Sequence, residues 1–168
     1  MPTIRRGAPV LLALWPYLML AAALLPEETA TDAAELWWLL TPAVLLANLW
    51  NACTLGDPGR SVRTCLWVKL VHIPFYLLLF AAGAVMVLAM VVPAFTLLTP
   101  LLLLMLAGME WVLLAVGSSY GIAGALGLRR AGVFTRTGTA VRCVLLLCFV
   151  CDVFAAVSLR RAARRAGL

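Results

Sequence analysis

The run from Thr99 to Leu128 constrains this chain most, because it is strongly apolar, carries a single charge at Glu110 in its interior, and ends in a train of glycines. It exceeds the ~20 residues that an α-helix needs to cross a hydrocarbon layer about 30 Å thick. A soluble domain has no use for a helix that is greasy all round, and a helix facing lipid on every side would not carry a carboxylate midway. The run is therefore predicted to be a transmembrane helix with one protected face. At about 100° per residue, Leu103, Leu106, Glu110, Leu114, Gly117, Gly121 and Gly124 all lie within about 40° of the direction of Glu110. Gly117 and Gly121 form a small-xxx-small pair that lets two backbones approach closely. The face carrying Glu110 is accordingly expected to pack against protein.

Four further apolar runs surround it, at about 8–25, 36–52, 65–92 and 143–159. With 65% hydrophobic and 12% charged residues the chain falls well below the charge content of a soluble protein, about a quarter of residues. The expected fold is an all-α membrane protein, a bundle of about five transmembrane helices forming a single membrane domain over residues 1–168. Two alternatives leave four crossings: a signal peptide in place of the first run, or a re-entrant last segment. Arg5 and Arg6 precede the first run, and the stretch Pro26 to Glu35 holds Glu27, Glu28, Asp32 and Glu35 without a basic residue. That asymmetry places the N-terminus in the cytoplasm and the acidic loop outside. Arg60 and Arg63, and then Arg129, Arg130, Arg136 and Arg142, mark inner loops. If the last run crosses, Arg160, Arg161, Arg164 and Arg165 lie outside, which frustrates the positive-inside rule. Basic residues at segment ends, with a net charge of +6, suit anionic lipid headgroups and not nucleic acid.

The polar residues inside the runs are the candidate functional groups. Trp37 and Trp38 suit an interfacial belt, Pro42 is expected to kink the second helix, and Asn48 shares a face with Thr41. Lys69, His72 and Tyr76 share one stripe of the third helix. Counted at about 1.5 Å per residue, Asp152 lies about 15 Å beyond Arg142 and Glu110 about 27 Å from Leu128, so both carboxylates are deep. Lys69 lies only about 6 Å past Cys65, too shallow to reach Glu110, and is expected to snorkel to the inner headgroups. His72 and Tyr76 match Ser118, Ser119 and Tyr120 in depth and are expected to meet them. Glu110 should face Asp152 or the outer half of the third helix, and the stretch Pro93 to Pro100 should form an outer hairpin.

Other chemistry finds little support. Cys148-Phe149-Val150-Cys151 has C-x-x-C spacing and, with Cys53 and Cys65, superficially resembles the vitamin K epoxide reductase arrangement of membrane thiol oxidoreductases. Here, however, one pair is expected at a cytoplasmic turn and the other buried in a helix, where thiols are inert. Cys148 and Cys151 are weak metal candidates at best, and the Met86–Met90 and Met105–Met109 pairs read as core filler, so neither a metal nor a cofactor is expected. No phosphate-binding loop, nucleophile elbow or zinc-protease motif occurs, which argues against an enzyme. The expected role is a non-enzymatic accessory or scaffold component of a membrane assembly, with membrane lipids and a second copy or another membrane protein as partners. The alternative is an ion- or proton-coupled transport component using Glu110, Asp152, His72 and Tyr76.

Three stretches add a resemblance: Ser118-Ser119-Tyr120-Gly121-Ile122, Lys69-Leu70-Val71-His72-Ile73-Pro74-Phe75-Tyr76, and Cys151-Asp152-Val153-Phe154-Ala155-Ala156. From about Asn48 to its end the chain resembles an uncharacterised group of small bacterial multi-pass membrane proteins. That resemblance implies a bacterial inner membrane and no particular activity.

Overall fold

A computed structural model describes residues 2–24, 26–92 and 95–168 and contains six helices among them: α1 (Pro2–Ala23), α2 (Glu27–Thr54), α3 (Pro58–Ala89), α4 (Leu98–Arg130), α5 (Arg136–Leu147) and α6 (Cys151–Arg165). Three stretches, Glu35–Thr54, Pro58–Ala89 and Leu98–Arg130, are long and apolar enough to cross a membrane, and Gly7–Ala22 is a shorter apolar helix. Leu25 of the first expected run, and Pro93 and Ala94 of the expected outer hairpin, lie outside the described residues.

Two loops are shorter than the sequence suggests, because local signals extend the helices into them. After Pro26, which occupies the N-cap in an extended conformation, the Ala-rich acidic stretch continues as the first turns of α2, so most of the expected loop is helical. The connection between α2 and α3 shrinks to Leu55–Asp57. The Asp57 side chain accepts from the backbone N–H groups of Gly59 and Arg60, while Pro58 takes the first helical position, where its missing N–H costs nothing. Consequently α3 begins seven residues before Cys65, a shift that relocates every polar group on it.

The helices form three layers. α3 and α4 pair antiparallel in the centre, and the glycine stripe sets how closely they approach. A Cβ on Gly117 would touch Val68 at 3.6 Å, one on Gly121 would meet Cys65 Sγ at 2.8 Å, and one on Gly124 would meet Val62 Cγ2 at 2.5 Å. α1 packs on α3 and α2 on α4, while α6 packs chiefly on α3 and α5 on α4. Around α4 the two outer layers take opposite sides. Ser118 and Tyr120, about 200° apart on the helix, hydrogen-bond to α5 and α2 respectively.

The last apolar run departs most from expectation. In place of one helix over 143–159, the chain breaks at Cys148–Val150, where Val150 adopts φ 57° and ψ −47°. It is the only non-glycine residue with positive φ among those described. For a β-branched side chain this conformation costs on the order of 1–3 kcal/mol, which surrounding contacts must offset. α5 and α6 therefore pack against each other as a hairpin. The direction of α6 follows from its end: a Cβ on Gly59 would lie 2.8 Å from the backbone of Leu168, and one on Gly127 would lie 2.7 Å from Pro58. Leu168, the start of α3 and the end of α4 thus share one end of the bundle, the end from which α5 sets out.

Candidate functional site

The break between α5 and α6 exposes backbone carbonyls, and the polar residues of α3 and α4 meet there. Lys69 Nζ lies 2.7 Å from Asp152 Oδ2, 2.9 Å from Ser118 Oγ and 3.5 Å from the carbonyl of Leu146. Ser118 also donates to the Leu146 carbonyl, whose own helical partner would have been the N–H of Val150 at the break. The other oxygen of Asp152 accepts from the Val153 N–H at 2.7 Å, and the carboxylate sits in the first turn of α6, where the helix dipole favours negative charge. Lys69 is 3% and Asp152 5% exposed. At about 1.5 Å per residue from Pro58 and Arg130, Lys69 and Ser118 lie about 16–18 Å into the bundle. Lys69 therefore does not snorkel. It reaches sideways to a carboxylate, which is the cheaper course for an ammonium held this deep.

Glu110 stands apart from this cluster. The register that sets Gly117 opposite Val68 and Gly121 opposite Cys65 brings Glu110 level with Tyr76 on α3. Tyr76 lies within electrostatic reach of both Glu110 and Asp152. Its ring also packs at 5.3 Å against Phe149 in the hairpin tip and at 5.8 Å against His72. Glu110 is half-buried and makes no ion pair among the described residues.

His72 and Asn48 serve other helices. His72 Nε2 lies 3.2 Å from the carbonyl of Leu12. That carbonyl lacks its helical partner because position 16 is proline and has no N–H. His72 thus meets α1 and not Ser118 to Tyr120. Tyr120 instead donates to Asn48 Oδ1 at 2.8 Å and accepts from Asn51 Nδ2 at 3.0 Å, tying α4 to α2. Thr41 accepts from Trp15 Nε1 at 3.0 Å. Sequence reasoning missed Asn51 and the Leu146 carbonyl. Asn51 stood almost one turn beyond Asn48 and was legible by spacing, whereas the carbonyl becomes available only through a break that no proline or glycine announces.

The cysteines differ from expectation. Cys148 and Cys151 flank the break and are uncovered by the rest of the chain, and all five cysteines are free. No cluster of three or more His, Cys, Asp or Glu able to hold a metal occurs among the described residues.

Comparison with known proteins places the chain without assigning it an activity. One family model matches residues 5–165, nearly the whole sequence. The chain belongs to a family of unknown function (DUF6652). The match takes in α1, which carried no resemblance by inspection, together with every residue of the Lys69–Asp152 cluster. No curated protein and no solved structure matches the chain.

Proposed function

We propose that this member of the family is a non-enzymatic accessory or scaffold component of a membrane assembly, inserted in a bacterial plasma membrane with four crossings and an inner-side re-entrant hairpin. Helices of 12 and 15 residues reach about 18 and 22 Å, short of the ~30 Å hydrocarbon layer. With α6 returning to the end where α5 starts, Arg160, Arg161, Arg164 and Arg165 join Arg60, Arg63, Arg129 and Arg130 on the cytoplasmic side, and the positive-inside rule is no longer frustrated.

The observation that carries the reading is the uncovered tip of that hairpin. Irregular backbone at membrane depth is tolerated only inside protein or beside a water-filled cavity. Val150 is 70% and Phe154 73% exposed, and Cys148, Phe149 and Cys151 beside them are also exposed. The surrounding side chains, among them Val144 and Leu145, are apolar, which favours a dry protein partner over water. A second copy or another membrane protein laid over the tip would complete the missing cover, close to Glu110. A photo-crosslinking residue at Val150 should then give one discrete product in native membranes, its mass identifying a dimer or a hetero-complex. Rapid labelling of Cys151 by a charged, membrane-impermeant thiol reagent, with no crosslink, would refute the reading.

One observation favours a second reading. Tyr76 is within electrostatic reach of both Asp152 and Glu110, polar groups on three helices of the kind a proton path would use. On that reading Glu110→Gln abolishes a pH-driven flux in proteoliposomes, and an unchanged flux dismisses it.

A further inference from the structure

At the basic end of the bundle a groove of about 390 Å³ opens between α2 and α4, away from the ion-pair cluster and from the hairpin tip. Its walls are Leu49 and Ala52 from α2 and Ile122, Ala123 and Leu126 from α4. Two serines also line it, but each is satisfied by its own backbone. Ser61 donates to the carbonyl of Asp57 and Ser119 to that of Val116, so neither offers a free donor to a ligand. The interior therefore behaves as an apolar slot. Ile122 lies about 12 Å deeper than Arg130 by helical rise, roughly the length of half an acyl chain.

The rim carries one charge of each sign. Arg130 closes one side and Asp57 the other, and both residues are exposed. They stand at the same level, since Gly127, one turn before Arg130, packs against Pro58 next to Asp57. Arg130 makes no ion pair among the described residues. Asp57 uses Oδ1 to cap α3, which leaves Oδ2 free of that capping role on an exposed residue. An acidic phospholipid would meet Arg130 but also the Asp57 carboxylate. A headgroup that places an ammonium a few bonds from a phosphate would satisfy both.

We infer that this groove is a binding site for an aminophospholipid of the inner leaflet. One acyl chain lies between α2 and α4, the phosphate accepts from Arg130, and the primary ammonium of a phosphoethanolamine headgroup donates to Asp57. The charge order on the rim selects the headgroup, and the apolar slot selects a lipid over a soluble phosphate ester. The inference does not rest on the assembly role proposed above, because groove and hairpin tip lie on different layers.

Native mass spectrometry of the full chain tests it. The protein, released from nanodiscs holding equal amounts of phosphatidylethanolamine and phosphatidylglycerol, should retain the former preferentially, by about two- to fivefold given the modest worth of an exposed ion pair. Arg130→Gln should lower retention of both lipids by about two- to fivefold, the worth of an exposed ion pair to the phosphate. Asp57→Asn keeps a good N-cap residue on α3 and so should fold, yet it should erase the preference for phosphatidylethanolamine. Equal retention of both lipids by the wild type would overturn the inference. So would retention that Arg130→Gln leaves unchanged, or a preference that survives Asp57→Asn, provided that circular dichroism and a monodisperse elution profile show the variants folded.

Discussion

Asp152→Asn isolates the cost of the buried ion pair. In the wild type, Lys69 Nζ finds Asp152 Oδ2, Ser118 Oγ and the Leu146 carbonyl, so each of its three donors is directed at an oxygen. Asparagine can keep the acceptor used by the Val153 N–H, but it then points an NH2 group at the ammonium, donor against donor, with no counter-charge left. Removing one partner of a buried pair in this way costs about 3–5 kcal/mol, on the order of a hundredfold to several thousandfold in the ratio of folded to unfolded protein. Lys69→Met alone leaves the carboxylate stranded and should cost a similar amount. The double variant Lys69→Met/Asp152→Leu removes both charges and should recover most of the loss, because a buried pair is worth little more than apolar residues of equal volume. Denaturant titration of the purified protein in mild detergent, completed as a double-mutant cycle, reads the coupling directly. Single variants that each cost less than about 1 kcal/mol and add independently would refute the reasoning, since the pair would then be solvated in the native protein.

Two further predictions concern contacts between helices. Gly124→Ala should destabilise the bundle by about 1–3 kcal/mol through overpacking, because the new Cβ meets the backbone of Val62 and Pro58 as well as a side chain, whereas Gly117→Ala has ordinary contact distances and should be nearly neutral. Thermal melts of the two variants should differ accordingly. His72→Leu leaves the Leu12 carbonyl without a partner and should cost about 1–3 kcal/mol; adding Pro16→Ala restores an N–H within α1 and should rescue part of it, measured by the same titration.

The all-helical class, helices long and apolar enough to cross a membrane, and the direction of the glycine face were legible in the sequence, because each follows from local composition and a fixed period of 3.6 residues. Gly117, Gly121 and Gly124 could be set on one face without knowing their neighbour, and the neighbour proved to be α3. The site was less legible because depth was counted from the first apolar residue. Asp57 and Pro58 start α3 well before Cys65, so Lys69 lies about 16 Å inside the bundle and not about 6 Å. The same shift turned a snorkelling lysine into half of an ion pair.

What the sequence determined alone is that several helices are long and apolar enough to cross a membrane and that the basic residues gather at segment ends. Only the tertiary structure decided that Lys69 meets Asp152 and that His72 meets the Leu12 carbonyl. It alone turned the last apolar run back on itself at Val150. That break has no local cause in Cys148-Phe149-Val150. It is held by a lysine and a serine from two other helices, whose hydrogen bonds to Leu146 and Asp152 replace those the helix gave up.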